Sequence, residues 1–476
     1  MLLKCNSLSV CASETSSFAV FKLLESARVD RKLQLGISWK LEKIIHPYHH
    51  ARKGCTAEVD NLTNLQLARR MSSLGTEGAF EMMARTRRLE ARGQHVVHLE
   101  IGEPDFPTPA HITEAAIRAL REGHTHYTPA AGLIEAREAV SAYVSRTRGI
   151  KIEASQVLVV PGSKNILLFA MLALVNPGDE IIYPDPGYPI YESLGRFIGA
   201  KLRPIRLREE NDFRFDLDEF RSLLSSRTRL IILNSPHNPC GSVLERSEIE
   251  AIAEAVMATK AYVLSDEIYS RLQYEGTHYS IAAVPGMQPR TIIMDGLSKT
   301  YAMTGWRVGF GIMRPELVKK MSRLMINSNS CAASFSQMAT IAALSGPQEC
   351  VEAMLTEFRT RRQIVMDELN KIEGVECQTP KGAFYVFPNV SAIDRNVNRF
   401  AKFLLEKAGV ACLPGTCFGK GGRGYLRLSY ANSRDSIREG IHRMHDAITS
   451  MAHSRLPAYL SRYRDRQPAN GPGIRC

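Results

Sequence analysis

The sequence of 476 residues contains no uninterrupted apolar run that approaches the roughly 18 residues needed by a membrane-spanning helix. Its ten cysteines are scattered, and none forms a Cys-x-x-Cys pair. No group of Cys and His has the spacing of a zinc site. These absences predict a protein without a membrane span or a bound metal, in a reducing intracellular compartment.

The excess of positive charge lies mainly at the two ends of the chain. The net charge is +12. Residues 1–57 hold nine Lys or Arg and four acids, and residues 453–476 hold five and one, so the ends carry nine of the twelve charges. The body between them is close to neutral. Because nucleic-acid binding needs a basic surface on the folded part, we expect no nucleic-acid partner.

Both ends are expected to lie outside the folded part. Residues 1–70 lack sustained periodicity, which predicts a disordered extension or a targeting segment. Transit peptides avoid acids. This stretch contains Glu14, Glu25, Asp30 and Glu42. We therefore predict a cytoplasmic protein, with an organelle as the alternative if residues 1–60 are a transit peptide. Residues 453–476, rich in Arg, Pro and Gly, predict a disordered basic tail.

From about residue 113 onward, short apolar runs alternate with helix-length segments. The predicted strands are Val157–Val160, Ile181–Tyr183, Leu230–Leu233, Tyr262–Leu264 and Thr291–Met294. Helices between them are predicted at Ser163–Val175 and Ser247–Thr259. This alternation predicts an α/β fold, in which a mostly parallel sheet has helices on both faces.

A second, smaller region is predicted around the large one. A helix is predicted over residues 77–92, where apolar residues recur at helical spacing. On the C-terminal side, the predicted elements are a helix at Gln348–Ile372 and strands at Phe384–Phe387, Ala411–Leu413 and Tyr425–Ser429. We therefore predict a large domain over residues 113–345, and a smaller α+β domain built from residues 71–112 and 346–452.

Polar residues directly follow four of the predicted strands. The segments concerned are Pro161–Asn165, Asn234–Gly241, Ser265–Tyr269 and Asp295–Lys299. In open α/β sheets, ligands bind outside the carboxyl ends of the strands. Packing alone does not require four strands to deliver polar groups to one edge. The pattern therefore predicts a ligand site there.

Lys299 and Arg307 place an amine near an anion-binding group. Lysine amines attack carbonyls when their surroundings lower the pKa. Pyridoxal phosphate (PLP) is a carbonyl cofactor that carries its own phosphate. Gly162-Ser163-Lys164 at a helix start can bind a phosphate through free backbone N–H groups, although such a tripeptide alone is more often a simple cap. Asp266 could keep a ring nitrogen protonated, or be a cap or a salt-bridge partner. Together these residues predict a PLP site.

The other candidates each have a simpler structural explanation. Tyr269 and Asn238 could donate to the phenolic oxygen of the ring, but a half-buried core residue and a turn residue are more typical. Tyr188 could stack on a planar ring or merely pack beside its prolines. Arg427, on a predicted strand, could clamp a carboxylate or face solvent. The order and joint placement of these residues favour the functional interpretation.

From about Ser72 to Ser450, the sequence resembles the class I/II aminotransferases, the aspartate-aminotransferase-like family of fold type I PLP enzymes. The motifs that carry the resemblance are Ser298-Lys299, Thr304-Gly305-Trp306-Arg307-Val308-Gly309, Asn234-x-Pro236-His237-Asn238-Pro239-x-Gly241, Asp266-Glu267-x-Tyr269, Gly102-Glu103-Pro104-Asp105-Phe106 and Gly382-Ala383-Phe384-Tyr385. Two departures are mild: Cys240 stands where Thr is frequent, and Ser163 where a second Gly is frequent.

The resemblance implies how the cofactor is held. Lys299 would form an imine with PLP and then carry the proton between the substrate α-carbon and the cofactor. Asp266 would pair with the ring nitrogen. Asn238 and Tyr269 would contact the phenolic oxygen, and Tyr188 the ring. Ser163 and Arg307 would hold the phosphate, and Tyr127 would reach the phosphate of a neighbouring subunit. Lys164 and Ser298 are further implied cofactor contacts. The Tyr127 contact implies a homodimer with shared active sites.

The resemblance also implies the substrates, an amino acid and a 2-oxo acid that react by a ping-pong mechanism. Arg427 would bind the α-carboxylate, with Asn238 and Gly102 beside it. Lys164 matches a position where some family members carry a lysine for the distal carboxylate. That match favours aspartate and 2-oxoglutarate over alanine or aromatic substrates, although a lysine at a helix start is more often solvent-exposed.

Three alternatives remain at this stage. The chain could be an aminotransferase for alanine, aromatic or other amino acids. It could be a PLP-dependent lyase or decarboxylase on the same fold, since only the bond held perpendicular to the ring differs. It could also be a regulator in which a DNA-binding segment precedes an aminotransferase-like domain. The basic N-terminus prompts the last idea, but no helix-turn-helix pattern supports it.

Overall fold

Strands and helices alternate along most of the chain. The computed structural model describes residues 66–464. Its strands are β1 (Val97–His98), β2 (Val157–Val160), β3 (Glu180–Asp185), β4 (Lys201–Arg206), β5 (Thr228–Asn234), β6 (Tyr262–Asp266), β7 (Thr291–Gly296), β8 (Gly309–Ile312), β9 (Tyr385–Val386), β10 (Val410–Ala411), β11 (Leu413–Pro414) and β12 (Leu426–Ser429).

The helices separate these strands. They are α1 (Gly78–Glu90), α2 (Ala110–Arg121), α3 (Ile134–Arg148), α4 (Lys164–Leu174), α5 (Pro189–Phe197), α6 (Leu217–Leu223), α7 (Arg246–Met257), α8 (Leu297–Thr300), α9 (Pro315–Ser328), α10 (Ser334–Ser345), α11 (Glu349–Leu369), α12 (Val397–Phe403) and α13 (Arg434–Arg464). Short 3-10 helices include Arg69–Ser73 before α1 and Thr304–Trp306 after α8, and a π-helical turn, Leu404–Ala408, follows α12.

The main sheet has seven strands in the order β2-β8-β7-β6-β5-β3-β4. All neighbouring strands are parallel except β8, which runs antiparallel to β2 and β7. Alternate residues of β2 enter separate apolar cores: Val157 and Val159 pack with α2, α3 and α10, and Leu158 and Val160 pack with α4, α5 and α9. Because both faces of the sheet are buried under helices, the predicted α/β fold is confirmed.

The carboxyl ends of three central strands meet at one edge of this sheet. Asn234 at the end of β5 is in register with Asp266 at the end of β6, and Asp266 is in register with Met294 of β7. Strand β7 leads directly into α8, which carries Lys299. The fold therefore brings residues that are far apart in sequence to one place.

Two strands of the main sheet are not among the predicted ones. Strand β4 has mostly solvent-accessible residues and contains Pro204, which an edge strand tolerates because its missing N–H need not pair. Strand β8 contains Gly309 and Gly311, and glycine lowers strand propensity. Neither segment therefore carries the apolar, β-branched signal by which the other strands are recognised.

Two small sheets are built from the segments before and after the main sheet. β1 pairs in parallel with β10, and β11, β12 and β9 form an antiparallel sheet. The predicted strand Ala411–Leu413 is divided between β10 and β11. Residues of α11 and α13 share an apolar core with these strands. This arrangement places Arg427 of β12 beside residues that precede α2. The predicted domain boundaries stay a prediction.

The ends of the chain are described only in part. Helix α13 continues to Arg464, so it includes the first residues of the segment 453–476, which the sequence predicts to be a disordered tail. Ala, Leu and Arg in that stretch favour a helix. The rest of the predicted tail, and residues 1–65 of the predicted extension, lie outside the described residues. In the part of the chain that is described, no helix is long and apolar enough to cross a bilayer.

Candidate active site

A cavity of about 550 Å³ opens at the edge of the main sheet where β5, β6 and β7 end. Eleven of the twelve predicted site residues line it. They are Gly102, Ser163, Lys164, Tyr188, Asn238, Asp266, Tyr269, Ser298, Lys299, Arg307 and Arg427. The cavity is thus lined by residues from the main sheet, from the segment after β1 and from β12.

Lys299 lies in the short helix α8 and points its amine at the segment after β1. Its Nζ donates a hydrogen bond to the main-chain oxygen of Gly102 at 2.5 Å. Burial lowers the pKa of the Lys299 amine to about 8, and the positive charges of Arg427 and Arg307 act in the same direction. A substantial fraction of this amine is therefore neutral near physiological pH, as a nucleophile requires.

Asp266 ends β6 with its carboxyl group buried. Oδ2 accepts a hydrogen bond from the Tyr191 hydroxyl at 2.5 Å, and Oδ1 accepts one from the Ile268 N–H at 3.3 Å. Burial raises the pKa of Asp266 to about 7, although both hydrogen bonds lower it. Asp266 forms no ion pair with another described residue. A buried acid of this kind is poised to receive a cation.

Asn238 and Arg427 meet on the side of the cavity formed by the small sheets. The Asn238 N–H donates to Oδ1 of Asn234 at 2.9 Å, and the Asn234 amide also donates to the main-chain oxygen of Asp266 at 3.1 Å. Arg427 Nη1 donates to Oδ1 of Asn238 at 3.3 Å, and its Nη2 donates to the main-chain oxygen of Glu100. Asn234 therefore links Asn238 to the strand that carries Asp266.

Arg427 is buried but keeps an unsatisfied donor. Its side chain is 4% exposed, and its guanidinium lies 4.5 Å from the ring centre of Tyr385 and 5.0 Å from that of Phe418. Its Nε has no hydrogen-bond partner among the described residues. A buried, unpaired N–H of a cation is costly unless an anion completes it. Arg427 thus has the character of a carboxylate receptor.

Tyr269, Tyr385 and Gly102 pack tightly beside Lys299. The hydroxyls of Tyr269 and Tyr385 are hydrogen-bonded at 2.8 Å. A Cβ atom on Gly102 would lie 1.9 Å from the Tyr385 hydroxyl, so no larger residue fits there without displacing the tyrosine. The close approach of this backbone fixes the carbonyl group that accepts the Lys299 hydrogen bond.

Ser163, at the start of α4, lies near Arg307. Nη2 of Arg307 comes within 2.2 Å of the place that a Cβ of Gly162 would occupy. The N–H groups of Asn165 and Ile166 bond to the carbonyl groups of Gly162 and Ser163, and the helix dipole favours an anion at this end of α4. Helix start and guanidinium together form a receptor for a phosphate-sized anion. Ser298 adds a hydroxyl to the lining of the same cavity.

Lys164 and Tyr188 share one partner at the other side of the cavity. The Lys164 amine pairs with Oε1 of Glu77, and the Tyr188 hydroxyl donates to the same oxygen at 3.1 Å. The Tyr188 ring packs edge-on against Tyr191, with ring centres 5.6 Å apart. Tyr127, the twelfth predicted residue, lies outside the cavity lining and is 87% exposed.

Six further polar side chains that line the cavity are not among the predicted site residues: Glu77, Glu103, Tyr191, Asn234, Thr304 and Tyr385. Asn234 and Tyr385 lie inside the motifs quoted above, so closer attention to strand ends could have found them. Tyr191, in a helix, gives no sequence signal of its contact with Asp266. Glu77 resembles an ordinary helix-start acid. In the described residues no group of three or more His, Cys, Asp and Glu could hold a metal ion.

Comparisons with known proteins agree with this geometry. The family model for aminotransferase class I and II matches residues 94–444. An aspartate aminotransferase of Pyrococcus horikoshii is 42% identical over 358 residues, which cover 75% of this chain and 91% of that relative. An aromatic-amino-acid aminotransferase of Thermococcus litoralis is 37% identical over 358 residues, covering 74% of this chain and 92% of the relative.

A solved structure supports the same assignment. The aspartate aminotransferase from Thermus thermophilus with maleate superposes with a TM-score of 0.78 at 35% identity, covering 80% of this chain and 100% of that one. The predicted family resemblance is confirmed by the family model, by relatives that are matched over more than nine tenths of their own length and by the fold. The chain therefore belongs to the class I and II aminotransferases, a family of PLP-dependent enzymes.

Proposed function

We propose that this aminotransferase moves the amino group of L-aspartate to 2-oxoglutarate by a ping-pong mechanism. The observation that carries the proposal is the presence of two cations besides Lys299 and Arg307 in one cavity. Arg427 can bind an α-carboxylate, and Lys164 can bind a second carboxylate once it is released from Glu77. Relatives named aspartate aminotransferase support the same choice.

The residues present fit PLP. Asp266 is a buried acid with no cationic partner among residues 66–464, Lys299 offers a partly neutral amine, and Ser163 with Arg307 would receive an anion. When bound, PLP supplies a carbonyl group and a ring that accepts electrons. Asp266 would face the ring nitrogen, and Asn238 and Tyr269 the phenolic oxygen. Tyr188, Ser298 and Lys164 would complete the contacts around the cofactor.

Proton transfer falls to Lys299. Its amine has a pKa of about 8, so at neutral pH it can take a proton from the substrate α-carbon and would deliver it to the cofactor. The Gly102 carbonyl orients the amine through a hydrogen bond at 2.5 Å. A cation that faces Asp266 would stabilise its negative charge, because burial otherwise raises its pKa to about 7. The acid and the amine both line the same cavity.

Substrate orientation falls to Arg427. Its Nε, which has no hydrogen-bond partner among the described residues, shares one edge of the planar guanidinium with Nη2, so that edge can face an α-carboxylate while Nη1 bonds Asn238. A bidentate Arg–carboxylate pair is directional and strong when it is desolvated. Holding the carboxylate leaves the hydrogen on the α-carbon as the group to be removed. This supports transamination over decarboxylation, in which the carboxylate itself would be the leaving group.

Substrates other than aspartate form the second candidate. Lys164 is 46% exposed at its side chain and already paired with Glu77, so its ammonium group is not free to bind a distal carboxylate. A relative named for aromatic amino acids shows that the family accommodates both classes. Alanine, aromatic and other amino acids therefore remain candidate donors, and a lyase or decarboxylase on this fold is the outcome to test against.

A half-reaction screen tests the proposal. Purified holoenzyme is mixed with each amino acid, the absorbance of the bound cofactor is followed, and the keto product is identified by mass spectrometry. We expect aspartate and glutamate to convert the cofactor fastest and to give the matching 2-oxo acids. Faster conversion by alanine or an aromatic amino acid would overturn the aspartate assignment. Formation of the decarboxylated amine, or of an alkene, in place of a 2-oxo acid would overturn transamination.

We further propose that the enzyme is a homodimer in which Tyr127 reaches the phosphate site of the neighbouring subunit. Its exposure of 87%, away from its own cavity, supports this, because a large exposed aromatic side chain is typical of an interface.

Residues 113–345 would form the large domain, and residues 71–112 and 346–452 the small one. We propose the cytoplasm as the compartment, with an organelle as the alternative if residues 1–60 act as a transit peptide.

A further inference from the structure

Glu77 is already paired with Lys164, the lysine that a dicarboxylic substrate would need for its distal carboxylate. Its Oε1 pairs with the Lys164 amine and accepts the Tyr188 hydroxyl at 3.1 Å. The side chain of Glu77 is 17% exposed, whereas that of Lys164 is 46% exposed. The carboxylate is thus the more deeply placed partner, and both residues line the same cavity as Lys299 and Arg427.

The position of Glu77 in the sequence makes this contact unexpected. The residue stands at the N-cap of α1, where an acidic side chain usually bonds to free backbone N–H groups or interacts with the helix dipole. The Glu77 side chain makes no capping bond. It turns instead into the cavity, toward a lysine 87 residues further along the chain. Helix capping does not explain this orientation.

A substrate carboxylate and Glu77 would compete for one ammonium. Two carboxylates on the same cation repel each other, and pairing one of them with Lys164 weakens its attraction for the other. A substrate without a distal charge meets no such competition, because the existing Glu77–Lys164 pair neutralises that side of the cavity. Glu77 therefore acts against dicarboxylic substrates and in favour of uncharged side chains.

We propose that Glu77 is a specificity-determining residue, an internal carboxylate that a dicarboxylic substrate must displace from Lys164. This inference rests on the proposed role of Lys164 in binding a distal carboxylate. It would allow one cavity to accept both dicarboxylic and uncharged amino acids, and the strength of a single ion pair would set the preference.

A double-mutant cycle tests the proposal in the holoenzyme. The four proteins are wild type, Glu77→Gln, Lys164→Met and the double variant. Binding of succinate, an unreactive dicarboxylate, is measured by calorimetry, and kcat/KM is measured for aspartate and alanine. We expect Glu77→Gln to tighten succinate binding about fivefold, the range of a partly exposed ion pair. We expect the aspartate-to-alanine ratio of kcat/KM to rise by the same factor.

Lys164→Met separates the two hypotheses. If it leaves both succinate binding and the aspartate-to-alanine ratio at their wild-type values, Lys164 does not bind a distal carboxylate and the proposed aspartate function fails. If it weakens both while Glu77→Gln does not tighten succinate binding, the inference about Glu77 alone is overturned. In the Lys164→Met background no ammonium remains to compete for, so Glu77→Gln relieves only the repulsion between the two carboxylates, and we expect it to tighten succinate binding less than it does in the wild-type background.

Two matched variants guard against indirect effects. Glu81→Gln makes the same chemical change in α1 at an exposed residue that does not line this cavity, and we expect succinate binding to stay at its wild-type value. Glu77→Asp keeps the charge but shortens the side chain by one methylene group, so it should tighten succinate binding less than Glu77→Gln. If Glu77→Asp and Glu77→Gln tightened succinate binding equally, the proposed competition for Lys164 would be wrong.

Discussion

The Tyr191 hydroxyl donates a hydrogen bond of 2.5 Å to Oδ2 of Asp266, and both side chains are buried. This bond lowers the pKa of Asp266, against the larger effect of burial that raises it to about 7. Tyr191→Phe should therefore raise the Asp266 pKa further and leave more of the acid neutral. We predict a fall of about tenfold in kcat/KM, since a hydrogen bond to a charged group contributes about 1.5–3 kcal/mol.

The pH profile distinguishes this effect from simple loss of packing. In Tyr191→Phe the acidic limb of kcat/KM should move to higher pH, because a raised pKa keeps Asp266 protonated to higher pH. Tyr183→Phe is the control, since Tyr183 is also buried but lies outside the cavity lining. An acidic limb that does not move in Tyr191→Phe would contradict the proposed role of this bond.

Lys299→Ala should remove the covalent link to the cofactor. Wild-type holoenzyme treated with borohydride should retain PLP through denaturation, and mass spectrometry should place it at Lys299. We expect no retained PLP in the variant. Lys164→Met also removes a lysine from the same cavity but should keep the link. Retention of the cofactor by Lys299→Ala would exclude Lys299 as the anchor.

The central strands could be predicted because each is a short apolar run. The site residues at their ends could be predicted because polar side chains directly follow those runs. Strand β2 has the predicted bounds, and Asn234, Asp266 and Lys299 follow or end β5, β6 and β7 as expected. The glycines of β8 and the charged residues of β4 hide those strands. The contacts of Glu77 and Tyr191 join residues 87 and 75 positions apart, so no local pattern could reveal them.

Arg427→Lys should weaken the binding of substrates that carry an α-carboxylate. Lysine keeps the charge, but it cannot match the two-pronged geometry of guanidinium and carboxylate. It would also lose the bonds to Asn238 and to the Glu100 carbonyl group. We predict a fall of about 100-fold in kcat/KM, which corresponds to the 2–5 kcal/mol associated with truncating a buried charge pair. A fall of equal size for a substrate amine without a carboxylate would contradict the assignment.

Gly102→Ala should disturb the cavity through a steric clash. The added Cβ would lie 1.9 Å from the Tyr385 hydroxyl, so the tyrosine or the backbone must shift. We expect the free energy of unfolding to fall by about 1–3 kcal/mol, the usual cost of overpacking. Urea denaturation measures it. Gly305→Ala is the control, because a Cβ there meets nothing within 4 Å. Equal stability of Gly102→Ala and wild type would show that the close approach is not rigid.

The pH dependence of stability in the apoenzyme should report the buried amine of Lys299. Its folded-state pKa is about 8, below the ordinary value of 10.5, because burial disfavours the charged form. Between these two pH values the unfolded chain binds more protons at this group than the folded chain does. By linkage, the contribution of Lys299 to the free energy of unfolding therefore rises with pH through this window, and it is constant below about 8 and above about 10.5.

Comparison with Lys299→Met isolates this contribution, because methionine fills a similar volume without titrating. From pH 7.5 to pH 9.5, the stability of wild type relative to the variant should increase by about 1–2 kcal/mol. Other groups that titrate in this range affect both proteins and cancel in the difference. Urea unfolding of the two apoenzymes at both pH values provides the measurement. A difference that stays constant or shrinks with pH would show that the folded environment does not lower the Lys299 pKa, and the amine would then need the bound cofactor to become a nucleophile at neutral pH.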